Sequence, residues 1–240
     1  MIKGRPSFRL VLSLGIILML SLGCKSPAGP DDENGNGTGG ERDVYMCGRS
    51  VMEGWFVHWG WDWNESHPVK HGRFNLYYRP IEGPWGGTTM QDSVREVVNN
   101  IPNEKYPIVF FKFCFVDFEG GSQSQAQANL NRNKNIVKEV YDIVVQQHGY
   151  KLIIGNALPM TANDTDSYLV WNHKQYNQWL VDFKNQHPGK VFIFDMYSIL
   201  TDPDGNLRSD YAVDEWDSHL NEAAYNALDT PFFQLLENNF

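Results

Sequence analysis

From Asp43 onward the chain alternates short apolar runs with longer stretches in which apolar residues recur every three or four positions. That alternation of periods is what a parallel sheet with crossover helices requires. Val44–Cys47, Phe74–Tyr78, Ile108–Phe113, Leu152–Ile154 and Val191–Phe194 read as five strands. The third is hydrophobic almost without a break, as expected of a strand covered on both faces. Between them, Ile136, Val137, Val140, Tyr141, Val144 and Val145 mark a helical face closed by His148-Gly149, and Trp171, Tyr176, Trp179, Leu180 and Phe183 mark another, stopped by His187-Pro188-Gly189. A last helix starts near His219 and carries Leu220, Ala223, Ala224, Ala227 and Leu228. The expected fold is α/β, a three-layer sandwich on a five-stranded parallel sheet. Its chemistry belongs at the carboxyl ends of the strands.

The residues before this body are of a different kind. Lys3, Arg5 and Arg9 precede the apolar run Leu10–Leu22, which is followed by Gly23-Cys24. This is the pattern of a secretory signal, too short for a comfortable membrane span. A cysteine directly after a small residue marks a lipoprotein signal, although Ser21 stands where such signals usually have leucine. An ordinary signal peptide or a short anchor are the alternatives. Residues 1–24 are thus read as a lipoprotein signal with Cys24 as the lipidated residue, and 25–42, with no apolar periodicity, as a tether. Residues 43–240 form a domain of ordinary size, exported and held at a bacterial outer membrane or cell surface. The net charge of −9 argues against a nucleic-acid partner, which needs a basic face. Cys47 and Cys114 are then in a compartment where a bridge is permitted, and they are equally well read as small buried apolar residues.

Directly after the first strand comes Gly48-Arg-Ser-Val-Met-Glu-Gly54. A serine on a strand-to-loop turn flanked by glycines is a nucleophile if a base reaches it, and the backbone N–H groups there can face an oxyanion. Its bland reading is a helix cap. Near the C-terminus, Asp214-Glu-Trp-Asp-Ser-His219 places acids beside a histidine, and a carboxylate in that position fixes the tautomer of the ring and stabilises its charged form. Half of the tryptophans fall within Trp55–Trp63. Their ring faces suit a sugar, which makes Trp55, Trp59 and Trp61 substrate-binding candidates, or they fill the layer between sheet and helix. Asp62, His67 and His71 match no common zinc spacing, so no metal and no other cofactor is expected.

These segments, in this order, resemble the SGNH/GDSL hydrolase family over most of the body. Gly48-Arg-Ser50 stands where that family has Gly-Asp-Ser after the first strand, and Asp217-Ser-His-Leu-Asn221 where it has its Asp-x-x-His-Leu-Asn block. Asp195–Ser198 and Asp202–Asn206 look like the segment leading into that block. The resemblance implies a flavodoxin-like sandwich with Ser50 as nucleophile and His219 as general base. Three positions depart from it. Arg49 replaces an aspartate. Trp216 stands three residues before the histidine, where the family has its acid, leaving Asp217 or Asp214 for that role. The segment Phe113–Phe118 has Asp117 but no asparagine before it to donate to an oxyanion, and a carboxylate facing an oxyanion would oppose catalysis. The backbone of Ser50, the amide of Asn156, and a backbone N–H at Gly83, Gly86 or Gly87 are the oxyanion candidates.

The expectation is a serine esterase acting on an acylated carbohydrate or another small ester outside the cytoplasm. Its competitor is a catalytically silent surface lipoprotein of the same fold, holding glycan on its tryptophan-rich segment.

Overall fold

The computed structural model describes residues 40–62, 67–83, 89–102 and 107–240. The expected signal 1–24 with Cys24, and most of the tether, lie outside the described residues. Strand β1 (Arg42–Gly48) runs into α1 (Ser50–His58), followed by β2 (Val69–His71), β3 (Phe74–Pro80), α2 (Met90–Asn99) and β4 (Ile108–Phe111). A 3₁₀ turn (Phe115–Phe118) leads to α3 (Gln123–Tyr141), which a π-helical turn extends to Gln147. Then come β5 (Lys151–Gly155), α4 (Ser167–Gln186), β6 (Val191–Phe194), α5 (Met196–Leu200), the hairpin strands β7 (Ala212–Asp214) and β8 (Asp217–Leu220), and α6 (Glu222–Asn239).

The main sheet has the order β2-β3-β1-β4-β5-β6. Its five parallel strands are the five expected, and their order is flavodoxin-like. The sheet nevertheless has six strands, because β2 pairs antiparallel with the outer edge of β3. Three residues with half-exposed side chains are too few to display a period of two. The two-stranded β7–β8 sheet was also unforeseen, and it corrects the last helix. His219 lies on β8, and α6 begins only at Glu222, capped by the Asn221 side chain accepting from the Ala224 N–H at 3.1 Å.

Consecutive residues of β4 show the three layers directly, since neighbouring side chains on a strand point to opposite faces. Phe110 meets Trp55 of α1 and Phe232 of α6, with ring centroids 6.5 and 5.5 Å away. Phe111 lies on the other face, stacked edge-on against Phe113, which in turn meets Tyr176 of α4. The chain leaves β4 earlier than the apolar run suggested. Lys112 still donates its N–H to Cys47 at 3.3 Å, but its side chain is buried at 1% exposure. Its ammonium makes a single long bond, 3.4 Å, to the Phe113 carbonyl, and burial lowers its pKa to about 8. Cys47 and Cys114 are free and buried; burial lifts the Cys47 thiol to about 12.

Candidate active site

In a sheet of this order, β1 and β4 flank the point where the strand order reverses, and open α/β sheets bind their ligands beyond the carboxyl ends of the strands at that point. Ser50 stands at that point. It is the first residue of α1, exposed, directly after the N-cap Arg49, whose carbonyl accepts from the N–H groups of Met52 (2.8 Å) and Glu53 (3.0 Å). The strand-to-helix turn is tight. A Cβ on Gly48 would meet that of Met52 at 2.7 Å, and one on Gly54 would collide with the Tyr225 hydroxyl.

His219 comes from β8, 169 residues away in sequence, and its Nε2 lies 3.0 Å from Ser50 Oγ. Its Nδ1 lies 2.6 Å from Asp217 Oδ1. The same carboxylate accepts the His219 backbone N–H at 2.9 Å. That bond, followed by the one to the imidazole, holds the Asp217 carboxyl below the usual range although it is 42% exposed. An ionised carboxylate only accepts, so Nδ1 carries the ring proton and the Nε2 lone pair faces the serine hydroxyl. Phe115, on the 3₁₀ turn after β4, presses edge-on against the imidazole, with centroids 5.3 Å apart and planes at 86°.

The hairpin is braced from its other face. Ser218, buried at 3% exposure, accepts the Thr161 N–H at 3.0 Å. The Asn221 amide donates to the carbonyls of Asp210 (3.0 Å) and Ala212 (2.9 Å). Asp214, the second acid candidate, does not reach the imidazole: its Oδ1 accepts the Trp216 N–H at 2.7 Å and closes the hairpin turn.

Other candidates lie elsewhere. Asn156 is one strand beyond β4, and its amide is committed on both sides: Nδ2 donates to Asp195 at 2.6 Å, and Oδ1 accepts the Tyr197 N–H at 2.8 Å. It closes the β6–α5 turn, with one of its two amide N–H groups and its oxygen engaged there. Gly83 follows the end of β3, and Gly86 and Gly87 lie outside the described residues. The tryptophans run down α1 away from Ser50, so that at 1.5 Å per residue Trp59 is about 13 Å along the axis. Trp55 is fully buried, stacked on Phe194 at 5.8 Å with its indole N–H on Asp229 at 2.7 Å. Trp59 donates to the same carboxylate at 2.9 Å, and Trp61 packs edge-on against Tyr78 and Phe56. Trp55 fills the layer between sheet and helices, Trp59 and Trp61 pack partly exposed against it, and Trp216, next to Asp217 in sequence, is 68% exposed. His71 stacks on Phe233. Asp117 is fully buried and engaged with Arg49, whose Nη2 lies 2.5 Å from each carboxylate oxygen. Burial raises its carboxyl while the guanidinium and the Cys114 amide pull it back.

The chain is thus an α/β three-layer sandwich that carries a hydrogen-bonded serine, histidine and carboxylate. No family model and no curated protein matches the chain. Solved structures do. A GDSL-like lipase from Bacteroides thetaiotaomicron superposes with a TM-score of 0.56 at 13% identity, over 83% of this chain and 89% of that one. A candidate acylhydrolase from Bacteroides fragilis gives 0.55 at 16% identity, over 83% and 88%. A candidate arylesterase from Agrobacterium tumefaciens gives 0.51 at 14% identity, over 83% and 100%. At such identities the likeness is one of fold: the chain has the SGNH/GDSL hydrolase fold.

Proposed function

We propose that the protein is a serine esterase acting on an acylated carbohydrate or another small ester. The observation that carries this reading is the chain of contacts Ser50 Oγ to His219 Nε2 to Asp217, at 3.0 and 2.6 Å, beyond the carboxyl ends of β1 and β4, where sheets of this order bind ligands. His219 takes the hydroxyl proton as Ser50 Oγ bonds to the ester carbonyl carbon. It then returns that proton to the departing alcohol as the ester C–O bond breaks, leaving an acyl group on Ser50. Water, deprotonated by the same nitrogen, attacks the acyl carbon and releases the acid, with the proton going back to Ser50. Asp217 holds the ring and stabilises the imidazolium formed in each step. The Ser50 N–H, at the first position of a nine-residue helix, has no acceptor within that helix and points with its dipole toward developing negative charge.

The test is turnover of aryl acetates and acetylated xylan, with covalent labelling by a fluorophosphonate. Wild-type protein that neither turns over any member of a broad ester panel nor labels at Ser50 would overturn the reading. The silent glycan-binding alternative drew on the tryptophans as a binding surface; Trp55 is wholly buried, whereas Trp59 and Trp61 keep part of their surface exposed.

The reading also places the enzyme outside the cytoplasm, anchored through Cys24. Incorporation of labelled palmitate that is lost in Cys24→Ser supports the anchor, and equal incorporation in both refutes it.

A further inference from the structure

Arg49 caps α1 in sequence, yet its side chain makes no cap bond. It reaches from the β1–α1 turn to the turn after β4 and sets Nη2 2.5 Å from both oxygens of Asp117. That carboxylate is wholly unexposed. Its one other donor is the Cys114 N–H at 2.7 Å, while the Asp117 carbonyl is held by Arg132 (2.6 Å) and Asn133 (3.0 Å) of α3. Arg132 and the buried Lys112 are the carboxylate's other cationic neighbours, but neither replaces the two-oxygen contact, so removal of the guanidinium leaves a buried charge short of its hydrogen-bonded partner and loosens the turn that holds it.

The two turns joined by this pair are the ones that carry the site. Arg49 is bonded in sequence to Ser50. Asp117 lies two residues beyond Phe115, whose ring backs the His219 imidazole. His219 itself stands on the separate β7–β8 sheet, so no strand pairing of the main sheet sets its distance from Ser50. The Arg49 side chain is 23% exposed, with Nε buried and without a partner. It is therefore directed at Asp117 and not spread over the surrounding polar groups.

We propose that Arg49 and Asp117 are a positioning pair, which locks the Ser50 turn to the turn bearing Phe115 and thereby sets the Ser50–His219 geometry. The pair touches no reacting atom. The kinetic arms of its test rest on the esterase reading, and one structural arm does not.

Arg49→Met, Asp117→Asn, the double variant and Arg49→Lys are compared for kcat and KM on an aryl acetate, together with melting midpoint. Asp117→Asn keeps the side-chain shape and guards against a fold lost in Arg49→Met. The expected result is a fall in kcat of about 10- to 100-fold in each single charge-removing variant, as a sub-ångström to ångström displacement of reacting groups produces, with KM within about twofold. The double variant should be no worse than the poorer single, the mark of two residues acting as a unit, and Arg49→Lys should recover most of the rate. Wild-type kcat in folded Asp117→Asn, or losses that simply multiply in the double, overturns the pairing. A crystal structure of Asp117→Asn reads the geometry without turnover. Ser50 Oγ still about 3 Å from His219 Nε2 would sink the proposal even if the protein proved not to be an esterase, whereas an opened gap supports it.

Discussion

Asp217 orients His219 from two residues away on the same strand, its Oδ1 lying 2.6 Å from Nδ1. On β8 alternate residues share a face. Asp217 and His219 therefore stand together toward Ser50, while Ser218 and Leu220 are buried on the opposite side. An acid three residues before the histidine would need a loop to bring it round; here that position is Trp216, in the hairpin turn.

The acid assignment can be read from one pair of variants. Asp217→Asn should lower kcat by roughly 10²- to 10⁴-fold, because an amide can donate to Nδ1 and turn the ring to the wrong tautomer. Asp214→Asn, altering an acid that only braces an exposed turn, should leave kcat within about twofold. Comparable losses in the two would show that Asp217 has no special role.

Lys112 is a stability liability at neutral pH. The unfolded chain keeps the lysine proton up to about 10.5, whereas the folded protein releases it at about 8. The cost of burial is thus absent above the upper value, grows as pH falls between the two, and is constant below the lower one, where it reaches about 3 kcal/mol. Lys112→Met should raise the melting midpoint at pH 7, with the gain shrinking by pH 10. A midpoint that falls at pH 7 would mean that the ammonium is held by more than burial suggests.

His173 should make the fold acid-sensitive. It is wholly buried, neither ring nitrogen has a partner, and desolvation lowers its pKa to about 3. Below about 6.5 the unfolded chain takes a proton that the folded chain refuses, so stability drops by about 1.4 kcal/mol per pH unit until pH 3. Urea titrations at pH 7 and pH 5 should show His173→Phe losing less stability on acidification than wild type. Parallel losses would assign the acid sensitivity to other groups.

Neither body cysteine should react in the native state. Cys47 is unexposed with its thiol lifted to about 12, so its thiolate is scarce, and Cys114 is sheltered at 5% exposure. Ellman's reagent should find both only after denaturation. Rapid modification of the native protein would point to local opening around β1.

How much of this was legible in the chain differs from residue to residue. The five parallel strands could be read because a buried strand and an amphipathic helix each imprint their period on neighbouring residues. β2 could not, since three half-exposed residues carry no period, and the short β7–β8 hairpin carries none either, so that the apolar spacing after it extends the last helix back to His219. Phe115, which backs the imidazole, left no signal at all. Arg49 is visible as a departure from the family pattern and Asp117 as the acid of a block that lacks its asparagine, and the two opposite charges read jointly suggest an ion pair.

Local pattern together with the family resemblance marked the strand-turn-helix that presents Ser50 and the segment that holds His219, because each is made by residues adjacent in sequence, although that second segment is a strand and not a helix start. Tertiary structure alone decided which acid meets the imidazole, that Asn156 is engaged elsewhere, that Trp55 belongs to the core, and that Arg49 reaches Asp117. Each of these is a matter of distance between segments far apart in the chain. Such distances depend on how layers and turns pack in three dimensions, which no local period encodes.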